Sequence, residues 1–247
     1  MQKWSDKGII INIQKKGEKG NLVNILTKKH GRHLGWLNIY NKKRINPQPG
    51  DLVDIFWSSR ISSQLGSFKL ELIESVVGKV INDEIKLNII SSFCSLVSII
   101  LPEREICINF FEKSLLFLKK IQNELPRVEI LKLYIFWEID VLSEMGQPLN
   151  FSKCIVSGKT NDLKFVSPKS GNAVAFQSAG KYENQLLKLP FFLGGYKKIN
   201  NNDKEDLFAG FDLTFHFIKK NLCSLEFKNL STAFIARNRL YNNFKMR

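Results

Sequence analysis

Three places in the chain hold residue types that could do chemistry. Ser157-Gly158-Lys159-Thr160 reads like the end of a phosphate-binding loop, in which backbone amides wrap a phosphate that the lysine neutralises. That loop needs a glycine five residues before Gly158, and Lys153 stands there, so the segment reads as a turn. His30 and His33 have neither a third ligand nor a glutamate at helical spacing, which a hydrolytic zinc site requires, and read as phosphate or solvent neighbours. Glu138 and Asp140 are two positions apart in a helical pattern and so on different faces, which separates them as an acid/base pair and leaves Glu138 as an ion-pair member of a core or interface. The histidines are His30, His33 and His216, and none stands in pattern with a nucleophile, so the chain reads as a non-enzyme. Cys94, Cys107, Cys154 and Cys223 are scattered without a CxxC pair, which predicts reduced, mostly buried thiols and neither metal nor cofactor.

The chemistry that the sequence does concentrate is positive charge. Residues 1–50 hold nine Lys and two Arg against Asp6 and Glu18, a formal +9 of the whole chain's +14. Such a field speaks to partners and says nothing about fold; it predicts a polyanion. The candidate contacts are Lys15, Lys16, Lys19, Arg32, Lys42, Lys43, Arg44, Arg60 and Lys69, with Trp36 or Tyr40 as a surface on which an unstacked base can rest.

The elements that must carry these residues begin with three apolar runs, 8–13, 22–26 and 34–37, separated by glycine-bearing turns in which the cations sit. A polar loop with Pro47, Pro49 and Gly50 follows, then strands at 52–57 and 67–76, the latter alternating Phe68, Leu70 and Leu72 against Lys69, Glu71 and Ile73. Five short strands in about 75 residues fit a small closed barrel of the OB type, which binds nucleic acid through a cationic groove. After Val80 the apolar period becomes helical, placing a domain boundary there: 1–80 a nucleic-acid-binding barrel, 81–247 a helical domain. Amphipathic helices are expected over 85–100, 106–121, 207–222 and 230–244, and a central helix, apolar on nearly every side, over 128–145. Residues 150–180 lose that period and read as a hairpin-rich insert.

No charged leader runs into an apolar core, and no apolar run approaches the ~20 residues of a membrane span, so a cytoplasmic protein without membrane contact is expected.

Read in order, several stretches resemble the RecO family of bacterial recombination mediators: Gly8-Ile-Ile-Ile followed by a Gly-Glu turn, Leu26 to Arg32, Gln48 to Val53, Leu65-Gly66, Leu101 to Glu105, Glu138 to Gly146 and the insert after Phe151. The resemblance spans nearly the whole chain. It implies an α+β protein with a five-stranded OB-type barrel, a helical domain and an inserted finger. It also implies a protein that binds single- and double-stranded DNA, anneals complementary strands and, with RecR, helps load RecA on strands covered by single-strand binding protein, as a nucleoid-associated monomer. Many members carry two CxxC pairs in the insert. Here Cys154 has Ser157 at its partner position and the later pair is replaced around Ala173 and Phe176, so the finger is degenerate and no zinc is expected. Many also carry an arginine just before the aromatic-Glu pair of the central helix, suited to the acidic tail of single-strand binding protein; here Ile135 and Phe136 precede Trp137-Glu138, and Arg127 and Lys132 are the candidate substitutes. The rival classes are an adaptor whose barrel charge docks an acidic protein and an RNA-binding OB protein.

Overall fold

The structure is a computed structural model that describes residues 2–16, 20–38, 47–61, 65–196, 203–223 and 234–245. Its α+β architecture has five strands first, β1 (Gln2–Lys16), β2 (Gly20–Thr27), β3 (Gly31–Asn38), β4 (Leu52–Ser59) and β5 (Gly66–Glu74). They close into a barrel in the order β1-β2-β3-β5-β4, with β3 and β5 parallel and the other pairs antiparallel.

Alternation decides what faces inward. Ile10, Val23, Ile25, Leu37, Val53, Ile55, Trp57 and Phe68 form the barrel core, with Trp4, Ile13, Leu70 and Leu72 packed at its margin. β1 starts six residues earlier than its apolar run predicts. Its first half is polar apart from Trp4, but it pairs with β4 from Gln2 to Ile9, whereas its second half pairs with β2. A strand held by one neighbour after another needs no apolar face of its own throughout.

The chain packs as two compact units, 1–123 with 231–247, and 124–230. The change of period at residue 80 therefore falls inside the first unit, and the helical span expected over 81–247 is divided between the two. In the first unit α1 (Val76–Val80), α2 (Glu84–Ile100) and α3 (Ile108–Ile121) follow the barrel, and the last helix, α7 (Ile235–Lys245), packs on α2. Asp83 caps α2 by accepting from the N–H groups of Ile85 and Lys86 at 3.0 and 3.1 Å. Gly50, at φ +98°, donates to the Ile10 carbonyl at 2.7 Å, and the buried Asp51 carboxylate accepts from Gln48 N–H, Ser75 Oγ and Val77 N–H. That stitch joins the barrel to α1.

The second unit is built on α4 (Arg127–Glu144) and α6 (Asp203–Cys223), which pack on each other. Glu138 is fully buried and accepts from the Thr214 hydroxyl at 2.5 Å. Between these helices the chain forms a small sheet, β6 (Leu163–Val166), β7 (Ala173–Ala175) and β8 (Leu187–Lys188) in the order β7-β6-β8, with α5 (Phe176–Ala179) after β7. Residues 157–160 are turn and loop with no helix following, so the phosphate-loop likeness ends at four letters. Cys154 is buried in that turn. Burial pushes its thiol up, but hydrogen bonds from Ala175, Ser157 and Val156 outweigh this and bring it down from 9.0 to about 6. Among the described residues no group of three His, Cys, Asp or Glu is arranged to hold a metal ion.

Two predictions follow from these local geometries. Gly31 has φ +69°, and a Cβ there would meet the Glu105 backbone at 2.1 Å. Gly31→Ala is expected to cost more than about 1–2 kcal/mol, read as a lowered denaturant midpoint. The depressed Cys154 thiol contributes stability that is present above its unfolded value near 9 and is lost as pH falls through 6. The Tm advantage of the wild-type chain over Cys154→Ser is therefore expected to widen from pH 6 to pH 9, in paired thermal melts.

Candidate nucleic-acid interface

The side chains on the outer surface of β1, β4 and β5 follow from pairing alone. Lys3 lies opposite Ser58, Ser5 opposite Phe56 and Lys7 opposite Asp54; on the other side of β4, Phe56 lies opposite Lys69, Asp54 opposite Glu71 and Ser58 opposite Ser67. The parallel β3–β5 pair brings Trp36 alongside Ser67 and continues the same surface. Phe56 and Trp36 are each 37% exposed, two aromatic rings on a face that also carries cationic, acidic and short polar residues. Strand spacing puts them roughly 12 Å apart across the sheet.

Against this face opens a cleft of ≈ 780 Å³ lined by Lys7, Lys28, Lys29 and Lys69, by Phe56, Ile55 and Leu70, and by Ser5, Asp6, Asp54 and Glu71. Lys69 Nζ stands 5.9 Å from the centre of the Phe56 ring. Lys28 Nζ pairs with Glu112 of α3 at 2.5 Å, both groups being partly exposed. The Asp6 side chain, although it belongs to the lining, is only 4% exposed and lies on the same side of β1 as Trp4.

Of the expected contacts, Lys69 lies in the cleft. Arg60 is exposed just past the end of β4, and Trp36 is on the outer surface and outside the core. Lys15 and Lys16 are exposed at the far end of β1, where Lys16 shares a register line with Gly20 and Asn38 on the face of Trp36. Arg32 has another employment. Its Nε donates to the Leu101 carbonyl at 2.8 Å, its Nη1 lies 3.9 Å from Glu103, its side chain is 13% exposed, and burial lowers its pKa from the ordinary value. It braces the 101–105 segment against β3. Lys19, Tyr40, Lys42, Lys43 and Arg44 lie outside the described residues. Lys3, Lys7, Lys28, Lys29 and Phe56 complete the surface, and only Lys28 and Lys29 stand out in sequence as part of a charged turn. Phe56 is recoverable in hindsight from alternation, since Asp54 and Phe56 occupy the face opposite Val53, Ile55 and Trp57.

The two histidines differ in exposure. His30 stacks on Trp4 with ring centres 4.0 Å apart and planes 8° apart, and its Nδ1 lies 3.0 Å from Asp6. His33 is buried edge-on to Trp57 and Trp4, and desolvation followed by the Arg104 charge lowers its pKa from 6.5. His30 keeps 32% of its side chain exposed, in keeping with a solvent neighbour, whereas His33 is buried against the two tryptophans in place of the solvent or phosphate contact expected of it.

In the second unit, Arg127 is exposed at the start of α4. Lys132, one turn on, pairs with Glu129 at 2.9 Å and stands 5.9 Å over the Phe192 ring, whose edge meets the exposed Phe136.

Comparison with known proteins gives the chain's family. Residues 1–76 match the family described as Recombination protein O N terminal, and residues 82–231 match Recombination protein O C terminal. The chain is 34% identical over 234 residues to the DNA repair protein RecO of Rhodospirillum centenum, covering 93% of this chain and 91% of that one. It is 33% identical over 221 residues to the DNA repair protein RecO of Jannaschia sp., at 89% and 87% coverage, and 34% identical over 197 residues to that of Rhodospirillum rubrum, at 78% of each. An N-terminal barrel with helices after it, matched by both halves of one family and by relatives along most of its length, has one assignment: the chain belongs to the RecO family of DNA repair and recombination proteins.

Proposed function

We propose that this chain is a non-enzymatic mediator that binds single- and double-stranded DNA, anneals complementary strands and, with RecR, helps load RecA on strands covered by single-strand binding protein. The observation that carries the reading is Phe56 exposed among Lys7, Lys28, Lys29 and Lys69 on one barrel face of a RecO-family chain. Lysines that contact phosphates release condensed counterions, and an exposed ring accepts a base whatever its identity. Two strands whose charge is screened in this way approach closely enough to pair, and no bond need be broken or made.

Lys15, Lys16, Lys19, Lys42, Lys43, Arg44 and Arg60 extend the proposed track, with Trp36 as a second platform and Arg32 in the supporting role its contacts describe. Arg127 and Lys132 form the proposed partner site for the acidic tail of single-strand binding protein, supported by the apolar pair Phe136 and Phe192 beside the ammonium group. The proposal includes a cytoplasmic, nucleoid-associated location; among the described residues no helix is long and apolar enough to cross a membrane.

Labelled single-stranded DNA, RNA and an acidic peptide, titrated at two salt concentrations, separate this reading from the RNA-binding and adaptor readings. Strand annealing followed by fluorescence without ATP tests the activity itself. Lys7→Ala with Lys69→Ala is expected to flatten the log–log salt dependence of single-strand affinity by about 1.4 and to slow annealing; an unchanged slope removes the cleft from the interface. Glu112→Gln releases Lys28 from its exposed ion pair. It is expected to tighten low-salt binding about two- to five-fold in anisotropy titrations while leaving the melting temperature nearly unchanged.

A further inference from the structure

Asp6 is a carboxylate at a surface proposed to grip a polyanion, where its own charge opposes binding. Its contacts give it another use. Oδ1 accepts from the Lys7 N–H at 2.9 Å; Oδ2 accepts from the Lys29 N–H at 2.7 Å and lies 3.0 Å from His30 Nδ1. The His30 ring is stacked on Trp4, and Trp4 on the buried Trp57 with ring centres 5.2 Å apart. The Lys28 N–H donates to the Lys7 carbonyl at 3.0 Å, and the His30 N–H to Thr27 Oγ1 at 3.1 Å. The turn that carries Lys28 and Lys29 is thus tied from behind, through one inward carboxylate, to the strand that carries Lys7 and to the aromatic plug of the barrel.

We propose that Asp6 is a positioning residue of the interface: it holds the 28–30 turn so that Lys28 and Lys29 line the same cleft as Lys7 and Lys69. The proposal rests on the nucleic-acid reading above and adds to it the source of that site's preorganisation. Cations already fixed on a rigid turn lose less freedom when a strand arrives, which is how order is converted into affinity. A carboxylate with three donors and almost no exposure presents little of its charge to a phosphate.

The sign of one measurement separates this role from simple electrostatics. If Asp6 acted only through its charge, Asp6→Asn would tighten DNA binding. As a positioning residue, it is expected to weaken single-strand binding about 5–10-fold at low salt and to flatten the salt slope by about 1. In a Lys28→Ala, Lys29→Ala background the same change is expected to shift affinity less than about 2-fold, because the cations it positions are gone. Tighter binding, an unchanged slope, or equal losses in the two backgrounds overturns the proposal. His30→Phe keeps a ring on Trp4 and removes the bond to Asp6, so it serves if Asp6→Asn fails to fold; it is expected to weaken binding in the same direction by a smaller factor, and no loss overturns the proposal. A folded wild-type chain that binds no DNA ends the nucleic-acid reading and this one together. A wild-type chain that binds alongside an Asp6→Asn protein of equal affinity ends this one alone.

Discussion

The first unit depends on one strand pairing with two partners. β1 runs fifteen residues, holding β4 along its first half and β2 along its second, with a register shift between Ile10 and Asn12 where it passes from one to the other. A strand that must bend around a small barrel needs such an irregularity, because a regular ladder cannot leave one neighbour for the next without a local change of twist. The Ile10 carbonyl freed near the bend accepts from Gly50 N–H, and the Ile10 N–H donates to Asp51, so the polar groups of the bend are satisfied by the segment that leads into β4. Closure then sets the outer face. Because β1 and β4 are antiparallel neighbours in this register, Lys3, Ser5 and Lys7 stand in line beside Ser58, Phe56 and Asp54.

Charge on that face is arranged in depth as well as in plan. Lys7, Lys28, Lys29 and Lys69 reach the cleft, and Asp54, Glu71 and the largely buried Asp6 share its lining. The local balance is close to even, so concentration of charge is not the whole basis of the site. What sets it apart from an ordinary solvated surface is the exposed ring at its centre with an ammonium group beside it. Phe56 stays 37% exposed on a barrel that buries Phe68 and Trp57 inside.

The architecture was legible because its signals are local. Alternation over Phe68 to Ile73 and three- and four-residue spacing after Glu84 mark strand and helix directly, and the strands and helices appear at those places. The site was legible in part. A lysine count sees Lys28 and Lys69 alike, but not that Arg32 is spent on the Leu101 carbonyl, a partner 69 residues away. Lys3 and Lys7 gave no signal, since a polar half-strand has no periodicity and acquires a face only from its pairing. The burial of His33 is hidden from the sequence for the same reason: its environment is Trp4 and Trp57, neither of which adjoins it in sequence.

The order of the helices carries a last consequence. The family's two halves meet between residues 76 and 82, whereas the packing units divide the chain at 123 and again at 231. The first unit takes in α2 and α3, and α7 returns to it, with Phe234, Ala236 and Leu240 buried and Asn243 Nδ2 donating to Glu84 at the start of α2. α2 in turn packs on β1, where Cys94 Sγ lies 3.7 Å from the Ile10 carbonyl at the bend. A helix clamped on one side by the barrel and on the other by α7 cannot shift without disturbing the strand that lays out Lys3, Ser5 and Lys7. The unit carrying the proposed interface is therefore completed by chain that follows the second unit in sequence, so the order of its lysines depends on contacts of high sequence separation.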